Sequence, residues 1–267
     1  MRDYGLGLWR HLGTFFRGVD ERTPACSTNT QFLLQLSGYR WAAKEFGPLF
    51  GRWVLDGATG AGFGARALAN EGAKVVGIDI DGGAVAAARR QDSRPRFLCM
   101  DVSTLGFRAE TFDLVISQDT LEHVADDARF VQEVHRALKE GGAFVVFTPH
   151  APVHTTHPAN PYHLREYSRD SLVKLLGRFF PSIRVYGRRP GAAIREAEAQ
   201  LSQVRSFDPW GLRRLVIPRF LRHWLASWVL RRRGSRRLEE LSVEEIEYFG
   251  GAEGSGTLIA VCRKGGS

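Results

Sequence analysis

The chain has 267 residues, 43% hydrophobic and 25% charged, a balance that suits a globular protein and excludes a disordered or fibrous one. No run of about 20 apolar residues occurs, so no transmembrane helix is expected, and residues 1–18 lack the apolar stretch and cleavage site of a secretory signal. The net charge of +8 is concentrated between Arg188 and Arg237, where thirteen arginines face Glu196, Glu198 and Asp208; the remainder is slightly acidic.

Residues 1–29 read as an N-terminal arm. Thr30 to Phe46 carries Phe32, Leu33, Leu36, Tyr39, Trp41, Ala42 and Phe46 near helical spacing, which predicts a helix. It is expected to lie over a ligand cleft, with Tyr39 or Arg40 in contact. Trp53 to Leu55 then reads as a buried strand ending in Asp56. A glycine loop follows, with glycines at 57, 60, 62 and 64, and leads into a helix over 64–71. Glycines let the backbone approach a ligand, and the helix N-terminus presents free N–H groups. Lys74 to Asp79 is a second strand ending in an acid, placed to accept two hydrogen bonds from a ribose diol.

Two cofactor classes use such a cradle. Gly60-Ala61-Gly62-Phe63-Gly64-Ala65 fits the dinucleotide pattern G-x-G-x-x-A. Asp56 argues against NAD, because a carboxylate at the strand end repels a pyrophosphate and suits a cationic amino-acid ligand such as S-adenosylmethionine (SAM). The loop from Asp56 to Gly62 is also long for a dinucleotide turn.

Further on, a helix is expected over 81–91, capped by Asp81, then a strand over Arg96 to Cys99 and another over Phe112 to Ser117. Asp126 to Leu138 reads as a helix closed by Gly141-Gly142, and Ala143 to Thr148 as a strand stopped by Pro149. Ser168 is placed to cap a following helix. Strands alternating with helices predict an α/β fold: a mostly parallel sheet with helices on both faces and ligands at the carboxyl ends of strands. Cys99 and Cys262 fall in apolar strand-like runs and read as buried thiols. With Cys26 they make an odd, scattered set that points to a reducing cytoplasm.

Taken in order, these segments resemble the class I SAM-dependent methyltransferases, in their small-molecule branch. The matching pieces are Val54-Leu55-Asp56-Gly57-Ala58-Thr59-Gly60-Ala61-Gly62, Val76-Gly77-Ile78-Asp79, Asp101-Val102, Phe112-Asp113-Leu114-Val115, Leu121-Glu122-His123-Val124 and Leu138-Lys139-Glu140-Gly141-Gly142. They cover about residues 30–186. Gly57-Ala58 departs from the family's usual x-Gly pair. The resemblance implies a Rossmann-like, doubly wound, seven-stranded sheet with an antiparallel final strand. It also implies a cofactor site. Asp56, Gly57, Ala58, Gly60 and Gly62 would hold the methionine part of SAM, with Ser117 and Gln118 at its amine. Asp79 would take the ribose, Ile80 would pack on adenine, and Asp101 and Val102 would bind the adenine edge.

On the acceptor side, Asn160-Pro161-Tyr162-His163-Leu164-Arg165-Glu166-Tyr167-Ser168 resembles a segment of methyltransferases associated with glycan assembly. Tyr162, Arg165 and Tyr167 are the candidate acceptor contacts. The plainer reading pairs Arg165 with Glu166 and packs Tyr167 on the sheet. A general base is needed for a hydroxyl acceptor and less so for an amine. His123 and His163 are the candidate catalytic residues, alongside His150, His154 and His157. The spacing of these histidines matches no regular ligand pattern, so no metal site is expected.

Four segments result: the arm 1–29, a SAM-binding core 30–187, an arginine-rich helical insertion or lid 188–250, and a final strand and tail 251–267. In the insertion, Arg213 to Arg233 alternates bulky apolar residues with arginines at helical spacing, which predicts an amphipathic pair of helices broken near Pro218. It reads as a solvated lid, as a surface for peripheral contact with an anionic membrane, or as a nucleic-acid contact, the last disfavoured by the absence of an RNA-binding module. The expected activity is methyl transfer to a small-molecule or lipid-linked acceptor, a sugar hydroxyl first. The alternatives are an RNA methyltransferase using the basic segment and a SAM-binding module without turnover.

Overall fold

The computed structural model describes residues 30–196, 199 and 242–265. The arm 1–29 and residues 201–241 of the arginine-rich segment lie outside the described residues.

The chain alternates as expected. Helix α1 (Thr30–Phe46) precedes strand β1 (Trp53–Gly57), α2 (Phe63–Asn70), β2 (Lys74–Asp79), α3 (Gly82–Gln91) and β3 (Arg96–Cys99). Then come β4 (Phe112–Gln118), a single turn of 3₁₀ helix (Leu121–His123), α4 (Asp127–Ala137), β5 (Leu138–Pro149), α5 (Arg169–Leu176) and β6 (Ser182–Pro190). A second 3₁₀ turn (Val243–Glu245) and strands β7 (Ile246–Gly250) and β8 (Thr257–Arg263) follow. Asp81, Asp126 and Ser168 cap α3, α4 and α5 by accepting from Gly83, Arg129 and Ser171 backbone N–H.

All eight strands form one sheet in the order β3-β2-β1-β4-β5-β8-β6-β7. Neighbours from β3 to β5 are parallel, and β8 runs antiparallel between β5 and β6. The sheet has eight strands where seven were expected, because Ile246–Gly250 adds an antiparallel edge to β6. Those residues, like Arg188 and Arg189 in β6, had been assigned to the insertion, where the arginine count hid the strand pattern.

Alternation along the strands sends successive side chains to opposite faces. Leu55, Ile78, Val115, Phe144 and Val146 pack under α4 and α5. Val54, Val75, Leu114, Ile116, Val145 and Phe147 pack under α1, α2 and α3. Two differences from the sequence reading concern strand ends. Gly141 and Gly142 do not close α4; the helix stops at Ala137, β5 begins at Leu138, and the glycines sit where its register against β4 shifts. Cys262 is fully buried, which pushes its thiol pKa up, but Cys99 is exposed at the end of the short edge strand β3.

Candidate functional site

The carboxyl ends of β1, β2, β4 and β5 gather the polar residues. Gly57 lies opposite Ser117 in the β1–β4 register, so the start of the glycine loop and the end of β4 are side by side. The loop is shaped by backbone in the left-handed region at Ala58 (φ 63°), Gly60 and Gly62. A Cβ on Gly62 would stand 2.8 Å from the Phe97 ring, so the loop closes only over glycine there. Gly62 leads into α2 without a side-chain cap.

Asp56 is fully buried and accepts two hydrogen bonds, from Tyr39 Oη at 2.8 Å and from Thr59 Oγ1 at 2.5 Å. Burial nevertheless dominates and pushes its pKa up to about 6. Asp79 is half-buried and stitches the loop to the next helix, accepting from Gly60 N at 2.8 Å and Asp81 N at 2.9 Å. Ile80 beside it is 72% exposed, an apolar side chain held open at a strand end. Asp101 is exposed and accepts from Ser103, while Val102 is buried beneath it. The Ser117 hydroxyl is fully buried yet has no hydrogen-bond partner among the described residues. Gln118 is held by α1, donating to Gln35 O at 2.9 Å, and accepts from Arg188 Nη1 at 3.2 Å.

A family model described as a methyltransferase domain matches residues 55–146, the span that contains this loop and the ends of β1, β2 and β4. The matched span carries a methyltransferase domain. A probable SAM-dependent methyltransferase of Mycolicibacterium smegmatis is 35% identical over 130 residues, 47% of this chain and 50% of that protein. One of Mycobacterium tuberculosis is 32% identical over 175 residues, covering 60% of this chain and 63% of its own. The chain thus spans half to under two thirds of these relatives. A SAM-dependent methyltransferase from Mesorhizobium loti shares the fold, with a TM-score of 0.55 at 18% identity over 86% of this chain and 100% of that one.

Beyond the methyltransferase loop, the 3₁₀ turn after β4 holds Glu122 and His123. Glu122 is fully buried and accepts from Thr148 Oγ1 at the end of β5, at 2.9 Å. Its carbonyl takes Leu164 N–H, which fastens the 160–168 loop to this turn. His123 Nδ1 lies 2.9 Å from the Tyr162 carbonyl, and its ring meets that of His163 edge-on with centroids 5.0 Å apart. His163 Nδ1 is 2.8 Å from Glu166 Oε1, and its Nε2 is 2.9 Å from Asn160 Nδ2.

The two histidines favoured by sequence are therefore brought together, and the others are not. His150 bonds the Ser255 carbonyl, His154 packs against the Tyr167 ring, and His157 is exposed beside Thr156. Arg165 and Tyr167 do not present themselves to an acceptor. Both reach back to Asp127 Oδ2, each at 2.7 Å, and Tyr167 is 2% exposed. Burial, then Asp127, pushes the Tyr167 phenol well above its ordinary range. Arg165 pairs with Asp127 and not with Glu166. Arg40 points outward to Glu244, while Tyr39 lies beneath the loop on Asp56. Sequence reasoning passed over Thr59, Glu122 and Asp127. Glu122 stood next to a candidate histidine, and its place after an apolar strand was its only signal.

Proposed function

We propose that the protein transfers a methyl group from SAM to an oxygen of a small-molecule or lipid-linked acceptor, a sugar hydroxyl first. When bound, SAM supplies a methyl carbon made electrophilic by its sulfonium. The residues present fit it. Asp56 sets a buried carboxylate under the glycine loop toward a cationic amino-acid group, and the orphaned Ser117 hydroxyl is buried beside Gly57 and Gln118. In this reading Gly57, Ala58, Gly60 and Gly62 hold the methionine part. Asp79 has lone pairs left for a ribose diol after serving Gly60 and Asp81. Ile80 gives the adenine an apolar face, and Asp101 and Val102 meet its edge.

The observation that carries the acceptor half is the convergence of Glu122, His123 and His163 next to the ends of β4 and β5. An amine needs little help to attack a methyl carbon, whereas a hydroxyl must lose a proton, and this cluster of polar side chains stands where that loss would be assisted. Tyr162 is the remaining acceptor contact of those expected. The stretch between β6 and β7 is read as a lid, and its mixture of Trp, Leu and Arg suits the anionic surface on which a lipid-linked acceptor would sit.

Calorimetric titration with SAM, S-adenosylhomocysteine and NAD tests the cofactor half. Micromolar binding of the first two, lost in Asp79→Ala, is expected. Binding of NAD alone would sink it. Transfer of labelled methyl from SAM into a panel of glycans, lipid-linked sugars, amines and RNA tests the acceptor half. Label appearing only in amines or RNA would overturn the oxygen reading.

A further inference from the structure

We propose that Glu122, His123 and His163 form a divalent-cation site at the acceptor edge. This deepens the oxygen-acceptor reading and rests on it. One ligand atom from each residue lies within 4.8 Å of the others, and His123 Nε2 is 4.0 Å from Glu122 Oε1. The three come from two chain segments that share no helix register. The turn after β4 supplies Glu122 and His123, the 160–168 loop supplies His163, and Leu164 N–H to Glu122 O locks one to the other.

The surroundings of the histidines are those of ligands. A metal-binding imidazole offers one nitrogen to the ion and fixes its ring by donating from the other to a carbonyl or carboxylate. His123 has the Tyr162 carbonyl on Nδ1, which leaves Nε2, the nitrogen facing Glu122, as the basic one. His163 has the Glu166 carboxylate on Nδ1. The Asn160 amide now rests on its Nε2, and a cation takes that place. Glu122 adds a carboxylate with no solvent exposure, whose other oxygen is oriented by Thr148. Burying a carboxylate is costly, and an adjacent dication offsets that cost while taking a lone pair from each imidazole.

Two nitrogens and one oxygen favour a borderline transition ion such as zinc or cobalt(II), with the harder manganese(II) held less tightly, over magnesium or calcium. Three protein ligands leave coordination positions open, and the His123 side chain is 34% exposed, so the open side reaches solvent. A hydroxyl arriving there loses its proton to water more readily beside the cation. The site thus favours acceptors with a hydroxyl, and a neighbouring oxygen able to chelate strengthens that preference.

The full-length protein, stripped with a chelator, is titrated by calorimetry with zinc and manganese(II), and cobalt(II) is followed by its visible absorption. One site per chain is expected, weakened about 10- to 100-fold in His123→Ala and in His163→Ala and about tenfold in Glu166→Gln. His157→Ala, outside the cluster, is expected to bind as the parent does. SAM titration of the same variants checks that they remain folded and tests the methyltransferase reading separately: SAM bound without a cation overturns only the metal site. Absence of a stoichiometric cation in the parent, or a site unchanged in the His123→Ala, His163→Ala double variant, overturns the proposal.

Discussion

The Tyr39 phenol donates to the Asp56 carboxylate across 2.8 Å, tying the helix in front of the sheet to the end of its first strand. The bond is buried at both ends and crosses beneath the glycine loop. A Cβ on Gly64 would run into the Tyr39 ring, so α1, β1 and α2 meet at one point where only a phenol, a carboxylate and a glycine fit together. This joint sets the floor of the cofactor loop and explains why an acid is kept fully buried.

That acid makes stability depend on pH in a definite direction. Its folded pKa of about 6 is raised from 3.8, so folding favours the protonated form. The contribution is fully present below pH 3.8 and is lost as pH rises through 6. The loss is about 3 kcal/mol, less what the surrounding donors recover on relaxation. In cofactor-free protein, Asp56→Asn removes this penalty and gives up one acceptor. It is expected to raise stability by about 2 kcal/mol at pH 7.5 and to leave it unchanged or lower at pH 4. The same variant is expected to lose SAM affinity. Denaturant melts at the two pH values check the first part; equal effects at both would show that Asp56 does not titrate in this window.

Ala58 stands at φ 63° where the family more often has glycine. An alanine in left-handed backbone is strained by about 1 kcal/mol. Ala58→Gly is expected to stabilise the protein by up to about 1 kcal/mol, because relief of the strain exceeds the added freedom of the unfolded chain. A fall in the thermal midpoint would show that the Ala58 methyl packs favourably.

Gly60 and Gly64 should respond differently to the same change. At Gly60 (φ 52°) a Cβ meets nothing within 4 Å, so Gly60→Ala is expected to cost only the backbone strain, about 1 kcal/mol. At Gly64 the added methyl must displace a buried ring that holds Asp56, and about 3 kcal/mol is expected. Calorimetric melting of both variants decides this. Equal losses would mean that Tyr39 can swing aside, and Gly64→Ala would then weaken SAM binding without unfolding the chain.

Most of the parallel half was legible because strand, acid and glycine follow one another locally. Trp53–Asp56 and Lys74–Asp79 carry their own apolar runs and terminal acids, and the caps Asp81, Asp126 and Ser168 announce their helices. What failed was information that lies in pairing. Ile246–Gly250 becomes a strand only because β6 offers an edge, and Gly141-Gly142, which looks like a helix stop, serves a register shift in β5. At the site, His123 and His163 are 40 residues apart in sequence, and nothing in their spacing foretold the shared turn. His150, His154 and His157 follow one another closely, yet the loop spreads them over Ser255, Tyr167 and Thr156.

Arg165 and Tyr167 had the look of acceptor contacts, and their common partner gives the sharpest way to separate structure from binding. Asp127 sits in the first turn of α4, where a carboxylate is also favoured by the helix dipole. It receives the Arg165 guanidinium and the Tyr167 hydroxyl on one oxygen, and so pins the 160–168 loop against the helix. Asp127→Ala strands a phenol that is 2% exposed and leaves a guanidinium without its ion pair. A loss of about 2–3 kcal/mol is expected, or about 5–10 °C in the thermal midpoint. Tyr167→Phe, which keeps the ring and removes only the hydroxyl, is expected to lose about 1 kcal/mol. SAM affinity should stay within twofold of the parent in both, since the glycine loop lies on the other strands. Should Tyr167→Phe abolish methyl transfer while leaving the melting curve unchanged, the phenol touches the acceptor after all, and the loop must open to expose it.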